Sequence, residues 1–218
     1  MRTRGLLIVG IAAIAASLLL GVAGMANGWM GGSSTNVPGG MMGSVFSGGG
    51  RDIGMDGAVD IAQGVAASYP NGGLVADEVI EFSNNYYASM REKSTGIGAF
   101  EILIDRANGT VVREPGPDMM WNAKYSMMRG GMMGSFGFSG SGPMTVTAQQ
   151  AEDIAQRWLN ANRSGTSANP PDPFYGYFTV DFEKNRQIVG MLSVNGFSGQ
   201  VWYHTWHGSF IAMRDLGA

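Results

Sequence analysis

Apolar positions recur along this chain with two periods, and the same succession of periods occurs twice. Ala58, Ile61, Ala62, Val65 and Ala66 stand at i, i+3, i+4, i+7 and i+8, one apolar stripe of an α-helix. Ala151, Ile154, Ala155, Trp158 and Leu159 repeat that spacing, and both stretches carry the tetrapeptide Asp-Ile-Ala-Gln, at Asp60–Gln63 and Asp153–Gln156. Behind each helix the period falls to two, the alternation of a β-strand with one buried face. Tyr86, Ala88 and Met90 share a face, as do Phe100, Ile102 and Ile104. In the second stretch Phe174, Phe178, Val180 and Phe182 lie on one side, with Tyr175, Tyr177 and Asp181 on the other.

The turn residues repeat with the strands. Asn108-Gly109 signals a hairpin before Val111-Val112, and Gly199 ends the matching turn before Val201-Trp202. Residues 84–116 lie on 174–206 without a gap, whereas the helices match at a shift of 93 residues, so one connecting loop is three residues shorter in the second copy. The first helix is expected to open at Asp56 as N-cap and to stop at Pro70 and Asn71-Gly-Gly. The second opens on Thr147-Ala-Gln-Gln150, the pattern of a capping box. Strands are predicted at 79–82, 85–93, 99–105 and 110–113, then at 174–183, 188–195 and 200–206.

The predicted fold class is therefore α+β: two units, each one helix packed on a small antiparallel sheet. At about 60 residues each unit is marginal alone without disulfides or metal. The two are expected to pack on one another about a pseudo-twofold axis.

The segments outside the repeats differ in character. Arg2 and Arg4 precede an uncharged apolar run from Gly5 to Ala26. That run exceeds the roughly 7–15 residues of a signal-peptide core and matches the roughly 20 of a membrane span. The small residues Gly24 and Ala26 would also suit cleavage, so signal anchor and cleaved signal peptide both remain open. Either way the arginines stay cytoplasmic and the bulk of the chain lies outside. Residues 27–54 are rich in Gly, Ser, Met and Asn and read as a flexible tether. The first repeat spans 55–118, a second Gly/Met-rich linker 119–144, and the second repeat 145–214.

Composition narrows the function. Only 14% of residues are charged and the net charge is −3, so nothing provides the basic face that nucleic-acid binding needs. With no cysteine there are no disulfides, thiolate metal sites or thiol nucleophiles.

A helix followed by an antiparallel meander, duplicated behind a membrane signal, resembles the PepSY domain family. The strings Gly96-Ile-Gly-Ala-Phe-Glu101, Glu114-Pro-Gly-Pro-Asp-Met-Met-Trp121 and Gln200-Val-Trp-Tyr-His-Thr-Trp-His207 are similar to those of exported Gly- and Met-rich prokaryotic proteins of that type. The likeness covers about residues 55–210. It implies a binding or inhibitory role outside the cytoplasm and transfers no catalytic motif.

Two residue groups carry candidate chemistry. The chain has 16 methionines, six of them at Met119, Met120, Met127, Met128, Met132 and Met133. Thioether sulfur is a soft ligand, and a Gly-rich linker would let several converge on Cu(I) or Ag(I). The plainer reading is adaptable apolar packing under Trp121 and Tyr125. Trp202, Tyr203, His204, Trp206 and His207 form the second group. On a strand, residues three apart point to opposite faces, so His204 and His207 are not expected to chelate one ion unless the strand ends between them. They read better as part of an aromatic partner-docking edge. His204 stands where Glu114 stands in the first copy.

No Gly-x-Ser-x-Gly elbow, His-Glu-x-x-His helix or Walker loop is present, and Glu101 and Asp105 have no predicted partner. Ser198 sits in a turn, where serine is expected anyway. Asn108 and Asn162 fit a short glycosylation pattern of low specificity. The expectation is a non-enzymatic, exocytoplasmic binding module for a protein or peptide, with Met-based Cu(I) binding as the alternative.

Overall fold

The structure is a computed structural model that describes residues 51–126 and 142–217. The apolar N-terminal run, most of the first tether, and Met127, Met128, Met132 and Met133 lie outside the described residues. Among those described, no helix is long and apolar enough to cross a membrane.

Helix α1 (Gly54–Ala67) buries Ala58, Ala62 and Ala66 of the expected stripe, packs Ile61 and Val65 partly buried beside them, and adds Val59. It starts three residues earlier than expected, with Ile53 at the N-cap position. Asp56 lies inside its first turn and pairs with Arg214 at 2.6 Å rather than capping the helix. The chain then forms a meander of β1 (Leu74–Phe82), β2 (Tyr86–Glu92), β3 (Gly98–Ile104) and β4 (Val111–Arg113). A short helix α2 (Pro117–Met120) follows. Helix α3 (Ala148–Asn162) opens on the capping box: Gln150 N donates to Thr147 Oγ1 at 3.2 Å, and Thr147 N to Gln150 Oε1 at 2.8 Å. Behind it come the short β5 (Ser167–Ala168) and β6 (Asp172–Pro173), then β7 (Tyr177–Lys184), β8 (Gln187–Asn195) and β9 (Val201–Tyr203).

The strands form two antiparallel sheets. One has the order β5-β7-β8-β9 with β6 also paired to β7. The other has the order β10-β1-β2-β3-β4, where β10 (Phe210–Asp215) comes from the end of the chain. Residues expected to finish the second unit thus supply an edge to the first sheet. The fold has four layers: α1 covers one face of the first sheet, α3 covers one face of the second, and the remaining two faces meet. Ile80, Phe82, Tyr87 and Leu103 meet Met191 there.

Both units build the same turn by the same means. Asp105 Oδ1 accepts from the backbone N–H groups of Ala107 and Asn108 at 2.9 and 3.0 Å, and Asn195 Oδ1 from those of Phe197 and Ser198 at 2.9 Å each. Gly109 and Gly199 close the two turns at φ +71°, a left-handed conformation that glycine adopts without Cβ strain. Each lies against the matching helix isoleucine, Ile61 or Ile154.

The first hairpin departs from the ungapped match. Tyr86 pairs with Ile104, but Phe178, not Gly176, pairs with Val194. The β2–β3 connection runs from Lys93 to Ile97, whereas β7 and β8 are joined by Asn185 and Arg186 alone, both at positive φ. The slip is two residues. Because side chains alternate with period two, an even slip leaves the residues of β7 on their expected faces, but Phe174, which precedes β7, leaves the face of Phe178 and stacks on Tyr177.

Gly64 is an exposed helix-interior residue around which an added Cβ would meet nothing within 4 Å. Gly64→Ala is expected to stabilise the chain by about 0.5–1 kcal/mol, measured as a higher urea midpoint with an unchanged slope.

Candidate functional site: a polar seam between the sheets

The contact between the sheets is apolar at one end and polar at the centre. On β2 and β3 the residues facing away from α1 include Tyr87, Ser89, Glu101 and Leu103. On β7 and β8 the residues facing away from α3 include Tyr177, Thr179, Met191 and Ser193. Strand alternation therefore aims a carboxyl group and several hydroxyls into the interior.

Glu101 is fully buried. Its Oε1 meets the Tyr87 and Thr179 hydroxyls at 2.7 Å each, and its Oε2 meets the Tyr177 hydroxyl at 2.7 Å. Burial, with Glu114 and Asp118 nearby, holds its pKa well above the usual carboxylate range despite those hydroxyls. The partner it lacked in the sequence comes from the other sheet.

Asp118 enters from α2. Its Oδ2 accepts from Arg113 Nε at 2.6 Å, and its Oδ1 from Asn122 Nδ2 at 3.2 Å and Tyr177 OH at 3.3 Å. Burial pushes its pKa up to about 6 against the pull of Arg113. Trp121 and Asn122, expected in the second linker, are buried. Asn122 Nδ2 donates to the Ala99 carbonyl at 2.7 Å, so packed structure continues past Met120. Glu92 fastens the same segment, accepting from Lys124, Tyr125, Tyr175 and Thr95. Burial opposes its ionisation, but these donors bring its pKa down to about 2.

Glu114 follows β4 and is fully buried, and His204 and His207 are nearly so, at 3% and 2% exposure. Glu114 Oε1 lies 3.3 Å from His204 Nδ1 and 3.0 Å from His207 Nε2, and accepts from Trp206 Nε1 at 3.1 Å. Neither imidazole nitrogen has hydrogen-bond geometry toward a partner, and Glu114 Oε2 has no partner. The two contacts are thus not hydrogen bonds, and they are ion pairs only where an imidazole is protonated. Burial would raise the Glu114 pKa, but the two imidazoles outweigh it and hold it well below the usual range. Burial lowers the pKa of His207 against the opposing pull of Glu114.

The far nitrogen of each imidazole is held. His204 Nε2 lies 3.0 Å from Ser193 Oγ, and His207 Nδ1 lies 3.1 Å from Asn85 Oδ1. Thr179 Oγ1 and Ser193 Oγ, 3.4 Å apart, complete a chain from Glu101 through His204 to Glu114.

The two histidines meet because β9 ends at Tyr203, not at Trp206 as expected. The next residues leave the ladder for the β1–β2 loop. His207 O accepts from Asn84 N at 3.1 Å, Trp206 O from Asn85 Nδ2 at 3.0 Å, and Ser209 O from Ser83 N at 2.8 Å. Freed from strand alternation, residues three apart face one point.

The other aromatic residues of this segment are half-buried. Trp202 lies edge-on to Trp121 with ring centres 5.8 Å apart, Tyr203 stacks on Trp158, and Trp206 stacks on His204. Of the methionine group, Met119 is half-buried and Met120 is 43% exposed; the other four lie outside the described residues. Glu114, Asp118, Asn85, Tyr87 and Tyr177 were not expected at a site. One signal pointed to Glu114: it and His204 hold matching places, each directly after the last strand of its meander.

No family profile and no curated protein matches this chain. Among solved structures it is similar to the Bacillus megaterium YpeB C-terminal domain, at 12% identity over 70% of this chain, with a TM-score of 0.25. The chain spans 62% of that structure's length. The likeness is too slight to assign a fold family or an activity.

Proposed function

We propose that this chain is a non-enzymatic module held at the outer face of a membrane by its N-terminal apolar segment. It consists of two PepSY-like repeats and binds an extended segment of a protein or peptide partner by strand addition. One observation carries this reading: β10 is a six-residue edge strand whose outer side pairs with no other strand among the described residues. Such an edge offers a row of backbone donors and acceptors, and side-chain pockets add selectivity. Ile211 on β10 is 51% exposed, and Val189 on the nearby β8 is 40% exposed. A strand added beside β10 would cover the first of these. The edge at β9 has three residues and keeps its aromatic side chains half-buried, so it offers less.

The test is co-purification of the full chain from its own membranes with and without Ile211→Lys. A lysine on an exposed edge blocks strand addition without disturbing the core. Loss of one specific partner in the variant, at an unchanged melting temperature, is the expected result. Equal recovery by both proteins would remove β10 from the reading.

A further inference from the structure

We infer that Glu114, His204 and His207 form a buried binding site for a single divalent transition-metal ion of the zinc type. This requires nothing of the peptide-binding reading. Among the described residues they are a group of His and carboxylate side chains whose ligand atoms all lie within 4.8 Å of one another. Two imidazoles and a carboxylate are a common zinc donor set, with bonds of about 2.0–2.2 Å. The edge of a tetrahedron with such bonds is about 3.3–3.6 Å. The observed separations, 3.0 Å and 3.3 Å from Glu114 Oε1, lie within about 0.3 Å of that edge.

The hydrogen bonding around the cluster decides what faces its centre. Asn85 Nδ2 donates to the Trp206 carbonyl at 3.0 Å, so its Oδ1 is the atom turned toward His207. A carbonyl oxygen only accepts, which places the proton of His207 on Nδ1. In the neutral ring Nε2 is then a bare lone pair, 3.0 Å from a carboxylate oxygen. Two acceptors at that distance, shut away from solvent, need a proton or a metal cation between them, and Nε2 has no hydrogen-bond geometry toward Glu114, which favours the metal. His204 is held through its other nitrogen by Ser193, leaving Nδ1 to face the same point. This is the outer-shell pattern of metal-binding histidines, whose second nitrogen is fixed by a protein hydrogen bond. Glu114 Oε2 has no hydrogen-bond partner, so nothing holds the carboxylate away from an ion, and a water would complete four-coordinate geometry beside the three side chains.

The site differs from the methionine group in place and in metal. Its donors are borderline nitrogen and oxygen atoms that select Zn2+ or Co2+, whereas thioethers select Cu(I). It joins the end of the first meander to the end of the second, so an ion would bridge the units and raise the stability of the folded state by linkage.

The test uses the full chain stripped with chelator and offered Zn2+ both when folded and during refolding from urea, because the site is buried. The expected result is one tightly bound Zn2+ per chain, a higher melting temperature, and a visible Co2+ spectrum of four-coordinate type. Glu114→Gln and His207→Gln should each weaken binding by more than about 100-fold, while the chain with all six linker methionines changed to Leu binds as before. A variant that fails to fold is replaced by Asn85→Ala, which leaves the three donors and should weaken binding by about 10–100-fold. No bound Zn2+ in either protocol overturns the inference. So does binding that persists in the Gln and Asn85 variants, or that vanishes with the methionines.

Discussion

Gly176→Ala should lower the stability of the chain by about 2–6 kcal/mol, the sum of a collision and a backbone strain of about 1–3 kcal/mol each. Gly176 has φ +103°, and a Cβ there would sit 2.2 Å from the carbonyl oxygen of Trp121. The obstacle is backbone, which has no rotamer to escape into. Around this point Ala123 N donates to the Tyr175 carbonyl at 2.7 Å, and Gly196 N to that of Gly176 at 2.9 Å. Trp121, with Phe174 and Tyr177 packed about it, would have to move as one body. Gly165→Ala is the matched control, since Gly165 also has positive φ but an added Cβ meets nothing within 4 Å. It carries the strain alone, about 1–2 kcal/mol. At about 2–4 °C per kcal/mol for a protein of this size, the two variants should melt several degrees apart. Equal melting points would show that residues 121–123 are not seated on 175–176.

The second large effect concerns Glu101. Glu101→Leu should cost about 3–5 kcal/mol, because it leaves the Tyr87 hydroxyl buried without an acceptor and those of Tyr177 and Thr179 with only their longer contacts to Asp118 and Ser193, where a buried group left unpaired costs about 1–3 kcal/mol. Adding Tyr87→Phe and Tyr177→Phe to that variant should restore part of the loss, a coupling that a double-mutant cycle measures. Glu101→Gln keeps acceptor and donor atoms in place and isolates the charge. The folded-state pKa of Glu101 lies above its ordinary 4.5, so below about pH 4.5 both states are protonated and no penalty exists. As pH rises, the unfolded chain ionises while the folded chain holds its proton, and stability falls. Urea unfolding from pH 4 to 8 should therefore show wild type losing ground to Glu101→Gln above about pH 4.5. Parallel curves would mean that Glu101 ionises freely where it lies.

Much of this arrangement could be read from residues alone. The helix stripes, the capping box at Thr147 and, Phe174 excepted, the faces of the strands follow from spacing, and the two-residue slip between the hairpins did no harm within β7 because it is even. The added edge at β10 was not legible: Phe-Ile-Ala-Met-Arg-Asp alternates poorly, and its partner β1 lies more than a hundred residues earlier. The start of the second linker was misplaced because Met119 and Met120 resemble the Gly/Met-rich stretch of residues 127–144 in composition, while Trp121 and Asn122 belong to the core. The polar seam was hidden for a different reason. Its members stand on separate sheets, so no local pattern joins Glu101 to Thr179, and strand alternation set His204 and His207 apart until the backbone of residues 83–85 drew the chain out of the ladder. Only the matched places of Glu114 and His204 hinted that two ends would meet.

The pairing of β10 with β1 has a bearing on how the molecule is made. A ribosome delivers residues 74–82 long before 210–215, and until the latter arrive the earlier hairpins carry an open, sticky flank. The nascent protein must shield that flank while residues 83–209 are made. A lesion confined to the final residues would then surface as clumping or proteolysis in the opposite half, with amide exchange quickening first at Val79 and Ile80.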